Sequence, residues 1–312
     1  MTAKLADLPL LASGKVREMY DLLGASELDP APLLMVASDR ISTYDAVHPT
    51  PIPDKGKVLT GLSVFWFEKT GQIVANHMIS ATEGVPEEAR GRALVVQRLR
   101  MLPVECIVRG YITGSGWKDY QASGTVSGIP LPAGLQESEQ LPQPIFTPST
   151  KAEEGHDETV DFEAAVALVG DRALMERVRD ASLELYSFAA EHARSRGVIL
   201  ADTKFEFGLD EQGGLVLGDE VLTPDSSRYW PAEGFAVGQG QPSFDKQYVR
   251  DWASASGWDK QPPAPAIPED IVSGTRARYV EAYEKIVGEP FQAWLERTGA
   301  AADADAGAGE TA

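Results

Sequence analysis

The 312-residue sequence contains one cysteine, Cys106. An intrachain disulfide framework is therefore excluded, and a reducing cytoplasm is the expected setting. Histidine is also scarce, at four residues. His156 lies among acids but has no second histidine at ligand spacing, so zinc is not expected. No apolar run approaches the length of a membrane span. The N-terminus MTAKLADLPLL lacks the charged and apolar regions of a secretory signal, and none is expected. Positive charge is short: 28 Lys and Arg stand against 47 Asp and Glu, a formal net charge of −19. That balance opposes nonspecific nucleic-acid binding and, with no membrane segment, predicts a soluble chain. It does not oppose small anionic ligands, because a site needs local cations and not a global excess. After Thr298 only Ala, Gly, Asp, Glu and Thr occur, and residues 299–312 are expected to be a disordered acidic tail.

The most informative stretch that is present spans residues 202–228, ADTKFEFGLDEQGGLVLGDEVLTPDSSR without its first Ala. It reads as two strands joined by a turn at Gly213-Gly214. Alternation places Asp202, Lys204 and Glu206 on one face and Thr203, Phe205 and Phe207 on the other. The aromatic face calls for a core, and three alternating charges of mixed sign point to a cleft. Glu206 and Asp219, on adjacent strands, are the oxygen donors a hard divalent cation carrying a nucleotide phosphate needs.

Elsewhere the chain supplies matching parts. Gly14-Lys15 forms a turn in which the backbone can approach a phosphate while the ammonium adds a point charge. A strand over residues 32–37 ends in Ser38-Asp39-Arg40, a polar cluster of the kind that marks ligand loops. Residues 49–57 read as a rigid loop, and Thr60 as the opening of a helix that Gly71 ends. Residues 91–101 read as one strand, and Leu102-Pro103 as a hinge where a nucleobase could meet the backbone. Arg109, Ser115 and the amides of residues 114–116 together would make an anion nest. Residues 123–148 read as an irregular excursion. Lys151, Glu153, Glu154, His156, Asp157 and Glu158 form a charge cluster before a helix. Residues 171–196 are a clear amphipathic helix with a stripe of Leu174, Val178, Ala181, Leu185, Phe188 and Ala189. Ser243, Phe244, Asp245 and Lys246 cap a further helix, and residues 261–268 are a Pro-rich linker before helices at 270–287 and 290–297. Two phosphate-type sites flanking a carboxylate pair imply ATP on one side and a phosphorylated substrate on the other, an arrangement suited to phosphoryl transfer.

The segments SGKVREMYDL, ASDRISTYD, PDKGKVLTGLSVFWFE, VECIVRGYITGSGWKDY, FTPSTKAEEGHDETV, DTKFEFG, LGDEVLTPDSSRYW and SFDKQYVRDW occur in that order. With them the chain resembles the SAICAR synthetase (phosphoribosylaminoimidazole-succinocarboxamide synthase) family from Gly14 to the final helix. The resemblance implies an ATP-dependent ligase of purine biosynthesis. It would join L-aspartate to the carboxylate of CAIR, 5-amino-1-(5-phosphoribosyl)imidazole-4-carboxylate, through an acyl phosphate. It also implies a two-lobed α+β fold, with an antiparallel β-rich N-terminal lobe (residues 1–101) like those of kinases and ATP-grasp enzymes. A larger lobe would cover residues 102–298, with ATP between the two. Lys15 and Arg17 would meet the ATP phosphates, Met101 the adenine, and Glu206 and Asp219 Mg²⁺ and the nucleotide. Arg109, Ser115, Ser227 and Arg228 would take the CAIR phosphate end, and Asp202 and Lys204 its ribose and imidazole. Lys15, Asp202, Lys204, Glu206 and Asp219 form the implied catalytic set, Asp202 being the candidate base. Residues 151–158 match a family motif and would close the metal or aspartate side. Glu18 departs from the family's usual Asp but keeps its charge. A monomer is expected, with a homodimer as the alternative. The competing functional readings are a small-molecule kinase using the same ATP and metal parts, and a nucleotide-binding regulator that should have lost part of the metal pair.

Overall fold

In the computed structural model, residues 4–22, 31–151, 158–244 and 246–301 are described. They form two compact units, each assembled from separated parts of the chain. The first is drawn from Met1–Val64, Met78–Arg98 and Asp245–Ala312, the second from Phe65–His77 and Leu99–Phe244. Strands and helices are mixed and nearly all strand pairs are antiparallel, the α+β class expected.

In the first unit, the apolar run Leu33–Ala37 is the middle strand of a five-stranded antiparallel sheet. Arg17–Asp21 and Leu10–Ser13 follow on one side, Ala93–Val96 and Met78–Ser80 on the other. One face of this sheet buries Leu34, Val36, Ala93 and Val95 with Leu22, Val85 and Ala89. The C-terminal helices Glu269–Val287 and Phe291–Thr298 belong to the same unit, and two contacts explain why. A Cβ on Gly61 would lie 2.9 Å from the Tyr283 ring and 3.2 Å from Trp294. The Trp294 indole donates to the Gly91 carbonyl at 3.0 Å in the interior. Asp54, wholly buried, accepts from Lys57 (3.1 Å) and Arg276 (2.6 Å), so its charge is compensated on both sides.

The second unit is organised on the twelve-residue strand Val198–Leu209. Its neighbours are Val104–Tyr111, Leu215–Gly218, Ser227–Pro231 and Arg100–Met101, all antiparallel to it. Gln140–Phe146 and Ser149–Thr150 extend the sheet beyond Val104–Tyr111, and Ala75–Asn76 adds a parallel edge beside Leu215–Gly218. The helix Arg172–Ser195 starts where the Asp171 carboxylate accepts from the Leu174 amide at 3.0 Å. It buries Leu174, Val178, Leu185 and Ala189 of the expected stripe, with Met175, Tyr186 and Ala193 besides, while Ala181 and Phe188 are half-buried. The Tyr186 hydroxyl donates to the Leu200 carbonyl at 2.7 Å, fixing the helix to the central strand.

Four local expectations are corrected. The helix expected to open at Thr60 begins at Lys55, because Gly56 lets its first turn approach the Ala37 carbonyl, 2.7 Å from where a Cβ would stand. Residues 91–101 are two strands: Ala93–Val96 pairs with Leu33–Ala37 in the first unit, and Arg100–Met101 with Leu209 and Gly208 in the second. Residues 123–148 are not irregular throughout. Gln140–Phe146 pairs with Val104–Tyr111, burying Leu141, Ile145 and Phe146 although it contains two prolines. The helix Gln247–Ala255 starts after Lys246 with no side-chain cap, and Asp245 lies outside the described residues.

Gly110 gives a test of the sheet–helix contact. A Cβ there would stand 1.9 Å from the Tyr186 hydroxyl oxygen and 2.7 Å from its Cζ. Gly110→Ala should therefore destabilise the protein by about 1–3 kcal/mol. Urea unfolding measures it, and an unchanged midpoint would contradict this packing.

Candidate active site

Strand register assembles the charged face of Val198–Leu209. Arg109 lies opposite Asp202 on one side, and Arg228 lies opposite the same Asp202 on the other. Arg109 and Arg228 both donate to Asp202 Oδ2, the first at 3.2 Å, so one carboxylate oxygen stands between two guanidiniums. Further along the face, Lys204 pairs with Glu105, and Glu206 with Lys151. The face is not in open water: Asp202, Glu206, Glu105 and Arg109 are all buried. Burial pulls the Arg109 guanidinium below its ordinary value, against the opposing attraction of Asp202. Arginine nevertheless stays charged, because its ordinary value lies so high. For Lys204 burial is the largest influence and would lower its value, but Glu105, Glu206 and Asp219 together reverse the direction. Its ammonium is held above the usual lysine range.

The two arginines meet a helix start. Gly114–Ser123 is helical and its N-cap, Thr113, makes no side-chain cap, so the residues expected as a loop nest are a first helical turn. The two glycines make room for the guanidiniums. A Cβ on Gly114, at φ +57°, would lie 2.5 Å from Arg228 Nη2, and one on Gly116 would lie 3.2 Å from Arg109 Nε. Ser115 Oγ accepts from Arg109 Nη2 at 3.1 Å. Two guanidiniums, a hydroxyl and helix N–H groups in one place are the chemistry of a phosphate site.

At the other end, Glu206 is in register with Gly218, and Asp219 follows immediately in a left-handed conformation, φ +57°. Met101 pairs with Gly208, and its sulfur and methyl lie within 3.1–3.2 Å of where Cβ atoms on Gly208 and Gly218 would stand. The structure thus brings Met101, Glu206 and Asp219 together around two glycines. Among the described residues no group of three or more His, Cys, Asp or Glu side chains could hold a metal by itself. Two carboxylates do fit Mg²⁺, which keeps several waters and is completed by substrate phosphates.

Lys15 and Arg17 lie in the first unit. Lys15 follows Gly14 in the turn between Leu10–Ser13 and Arg17–Asp21, and its ammonium pairs with Asp45. Arg40 supports this turn, donating to the carbonyls of Lys15 (3.0 Å) and Gly14 (3.1 Å) and to Glu18 (2.8 Å). The Arg40 hydrogen bond holds the Glu18 carboxyl below its usual range, against partial burial. Asp39 Oδ1 accepts from the Gly56 amide at 2.8 Å.

Not every expected residue joins the charged face. Ser227 is in register with Thr203, and their hydroxyls are 2.8 Å apart on the opposite side of the sheet. Of the charge cluster, Glu153, Glu154, His156 and Asp157 lie outside the described residues, while Lys151 reaches Glu206. Two members were missed. Glu105 was legible, since positions 105, 107 and 109 share a strand face. Thr147, whose Oγ1 accepts from Arg109 Nε at 3.0 Å, carried no local signal because its strand partner is distant in sequence.

Comparison with known proteins accords with this geometry. The family model described as SAICAR synthetase matches residues 10–265. A phosphoribosylaminoimidazole-succinocarboxamide synthase from Saccharopolyspora erythraea is 57% identical over 296 residues, covering 93% of this chain and 97% of that one. The solved SAICAR-synthase from Saccharomyces cerevisiae complexed with SAICAR is 44% identical, with a TM-score of 0.82, covering 93% of this chain and 98% of the other. A type-2 SAICAR synthetase structure in complex with ADP is 26% identical, with a TM-score of 0.66 and coverages of 89% and 98%. The chain belongs to the SAICAR synthetase family.

Proposed function

We propose that this protein is the ligase that condenses CAIR with L-aspartate, consuming ATP and yielding SAICAR, ADP and phosphate in purine nucleotide biosynthesis. The observation that carries this reading is the charged ladder Arg228–Asp202–Arg109, Lys204–Glu105 and Lys151–Glu206 on one sheet face. It stands in a chain whose relatives bear the synthase name over nearly their full length. A small-molecule kinase would use similar phosphate chemistry, but those relatives are ligases.

Arg109, Arg228 and Ser115 take the 5′-phosphate of CAIR, with the helix start at Gly114 supplying N–H groups. Lys204 then lies along the strand toward the imidazole carboxylate, and Glu206 and Asp219 would hold Mg²⁺. When bound, Mg²⁺ would neutralise charge on the phosphoryl oxygens. Lys15 and Arg17 are assigned to the ATP phosphates and Met101 to adenine on family resemblance. A carboxylate is a poor electrophile. Transfer of the γ-phosphoryl group to a CAIR carboxylate oxygen, with ADP leaving, makes an acyl phosphate. The aspartate amine forms the C–N bond at the acyl carbon, the C–O bond to phosphate breaks, and the amine loses a proton. Asp202 is better suited to holding two guanidiniums than to removing that proton, because protonation would discharge the carboxylate they share. Ser227 supports the sheet through Thr203.

Purified protein given ATP, Mg²⁺ and CAIR should form SAICAR only when L-aspartate is added; no SAICAR under those conditions would sink the assignment. Asp219→Ala should lower kcat about a hundredfold or more, the scale of losing several kcal/mol of charge stabilisation, with the melting temperature little changed. Wild-type turnover in that variant would remove the metal assignment. Lys204 has its folded value raised, so its contribution to stability is complete below about pH 10.4 and is lost as pH rises through the higher folded value. Its side-chain NMR titration should have a midpoint above that of ordinary lysine and should fall in Glu105→Gln. A wild-type midpoint below ordinary lysine would contradict the pairing.

A further inference from the structure

We infer that Thr147 is a positioning residue for substrate binding: it fixes the rotation of the Arg109 guanidinium so that the fork presents two N–H groups to the phosphate of CAIR. The inference rests on the assignment of that phosphate to Arg109. Arg109 is 3% exposed and Thr147 fully buried. Guanidinium has five N–H donors in a fixed plane. Three are engaged within the protein: Nε on Thr147 Oγ1 at 3.0 Å, Nη1 on Asp202 at 3.2 Å and Nη2 on Ser115 Oγ at 3.1 Å. One N–H on each terminal nitrogen is left to meet a phosphate.

The three anchors differ in kind. Asp202 is shared with Arg228, and Ser115 is in the first turn of a helix. Only Thr147 holds the inner edge of the fork. Thr147 is itself fixed, its amide donating to the Ile107 carbonyl at 2.8 Å and its hydroxyl lying 3.5 Å from that oxygen. Ile107 is two residues from Arg109 on the same strand, so backbone pairing sets the position of the acceptor. Gly116 closes the other side, since a Cβ there would stand 3.2 Å from Arg109 Cδ and Nε. Without the Thr147 acceptor, a buried charged donor is left unsatisfied and the fork is free to rotate toward Asp202.

Steady-state kinetics of Thr147→Val, Thr147→Ser and Arg109→Lys test this. Valine keeps the shape and removes the acceptor, whereas serine keeps the acceptor. Thr147→Val should raise KM for CAIR about tenfold, with kcat within about threefold and KM for ATP unchanged, and Thr147→Ser should stay near wild type. Lysine has no Nε–H to hold, so Thr147→Val should add little to the defect of Arg109→Lys. An unchanged KM for CAIR in Thr147→Val, or a full additional tenfold loss on top of Arg109→Lys, would overturn the role of Thr147. An unchanged KM in Arg109→Lys would instead overturn the phosphate assignment beneath it. Should the valine variant not fold, arginine-selective NMR of the wild type decides. Slow exchange of the Arg109 Nε–H supports the anchor, and exchange as fast as in an exposed arginine overturns it.

Discussion

One buried carboxylate between two guanidiniums sets the rest of the site. Asp202 is the register partner of both Arg109 and Arg228, on strands to either side of it. Removing Asp202 would leave two adjacent guanidiniums, Arg109 buried among them, without their shared counter-charge, which costs far more than an exposed ion pair contributes. The arrangement therefore requires the central strand to hold its pairing on both edges at once. A one-residue slip would turn Asp202 to the face now occupied by Thr203 and the two phenylalanines. Register, and not any loop, brings Arg109 and Arg228 to one carboxylate.

The same strand explains why the two ends of the site differ. Toward Asp202 the cations outnumber the anions, which suits a phosphate. Toward Glu206 and Asp219 the carboxylates gather around Lys204, which suits a cation and the nucleotide it accompanies. Glycines shape both ends: Gly114 and Gly116 admit guanidiniums, and Gly208 and Gly218 admit the Met101 side chain. In the other unit, Arg40 performs a related service by binding two carbonyls of the Gly14-Lys15 turn. The net charge of −19 is compatible with all of this because cations are concentrated where anions are to be bound.

Much of this was legible before any coordinates. Period-two alternation put Asp202, Lys204 and Glu206 on one face, and Gly213-Gly214 marked the turn, because both are local signals. Ser227 is grouped with Arg228 by family resemblance, whereas alternation puts neighbouring side chains on opposite faces and its hydroxyl meets that of Thr203. The strand Gln140–Phe146 was obscured by its prolines and is held by a partner some thirty residues earlier. Thr147 was invisible for the same reason: its role comes from the Arg109 side chain, which only tertiary packing brings to it. The return of the C-terminal helices to the N-terminal unit depends on Gly61, Tyr283, Trp294 and Gly91, contacts no window of sequence contains.

On the proposed function, the charged face of residues 202–219 binds a metal–nucleotide at one end and a sugar phosphate at the other. A crystal structure with Mn²⁺, ADP and CAIR, using anomalous scattering to locate the metal, tests it most directly. A metal peak is expected within coordinating distance of the Glu206 and Asp219 carboxylates, and the CAIR phosphate on Arg109 and Arg228. A metal peak away from both carboxylates, or a CAIR phosphate touching neither arginine, would contradict it.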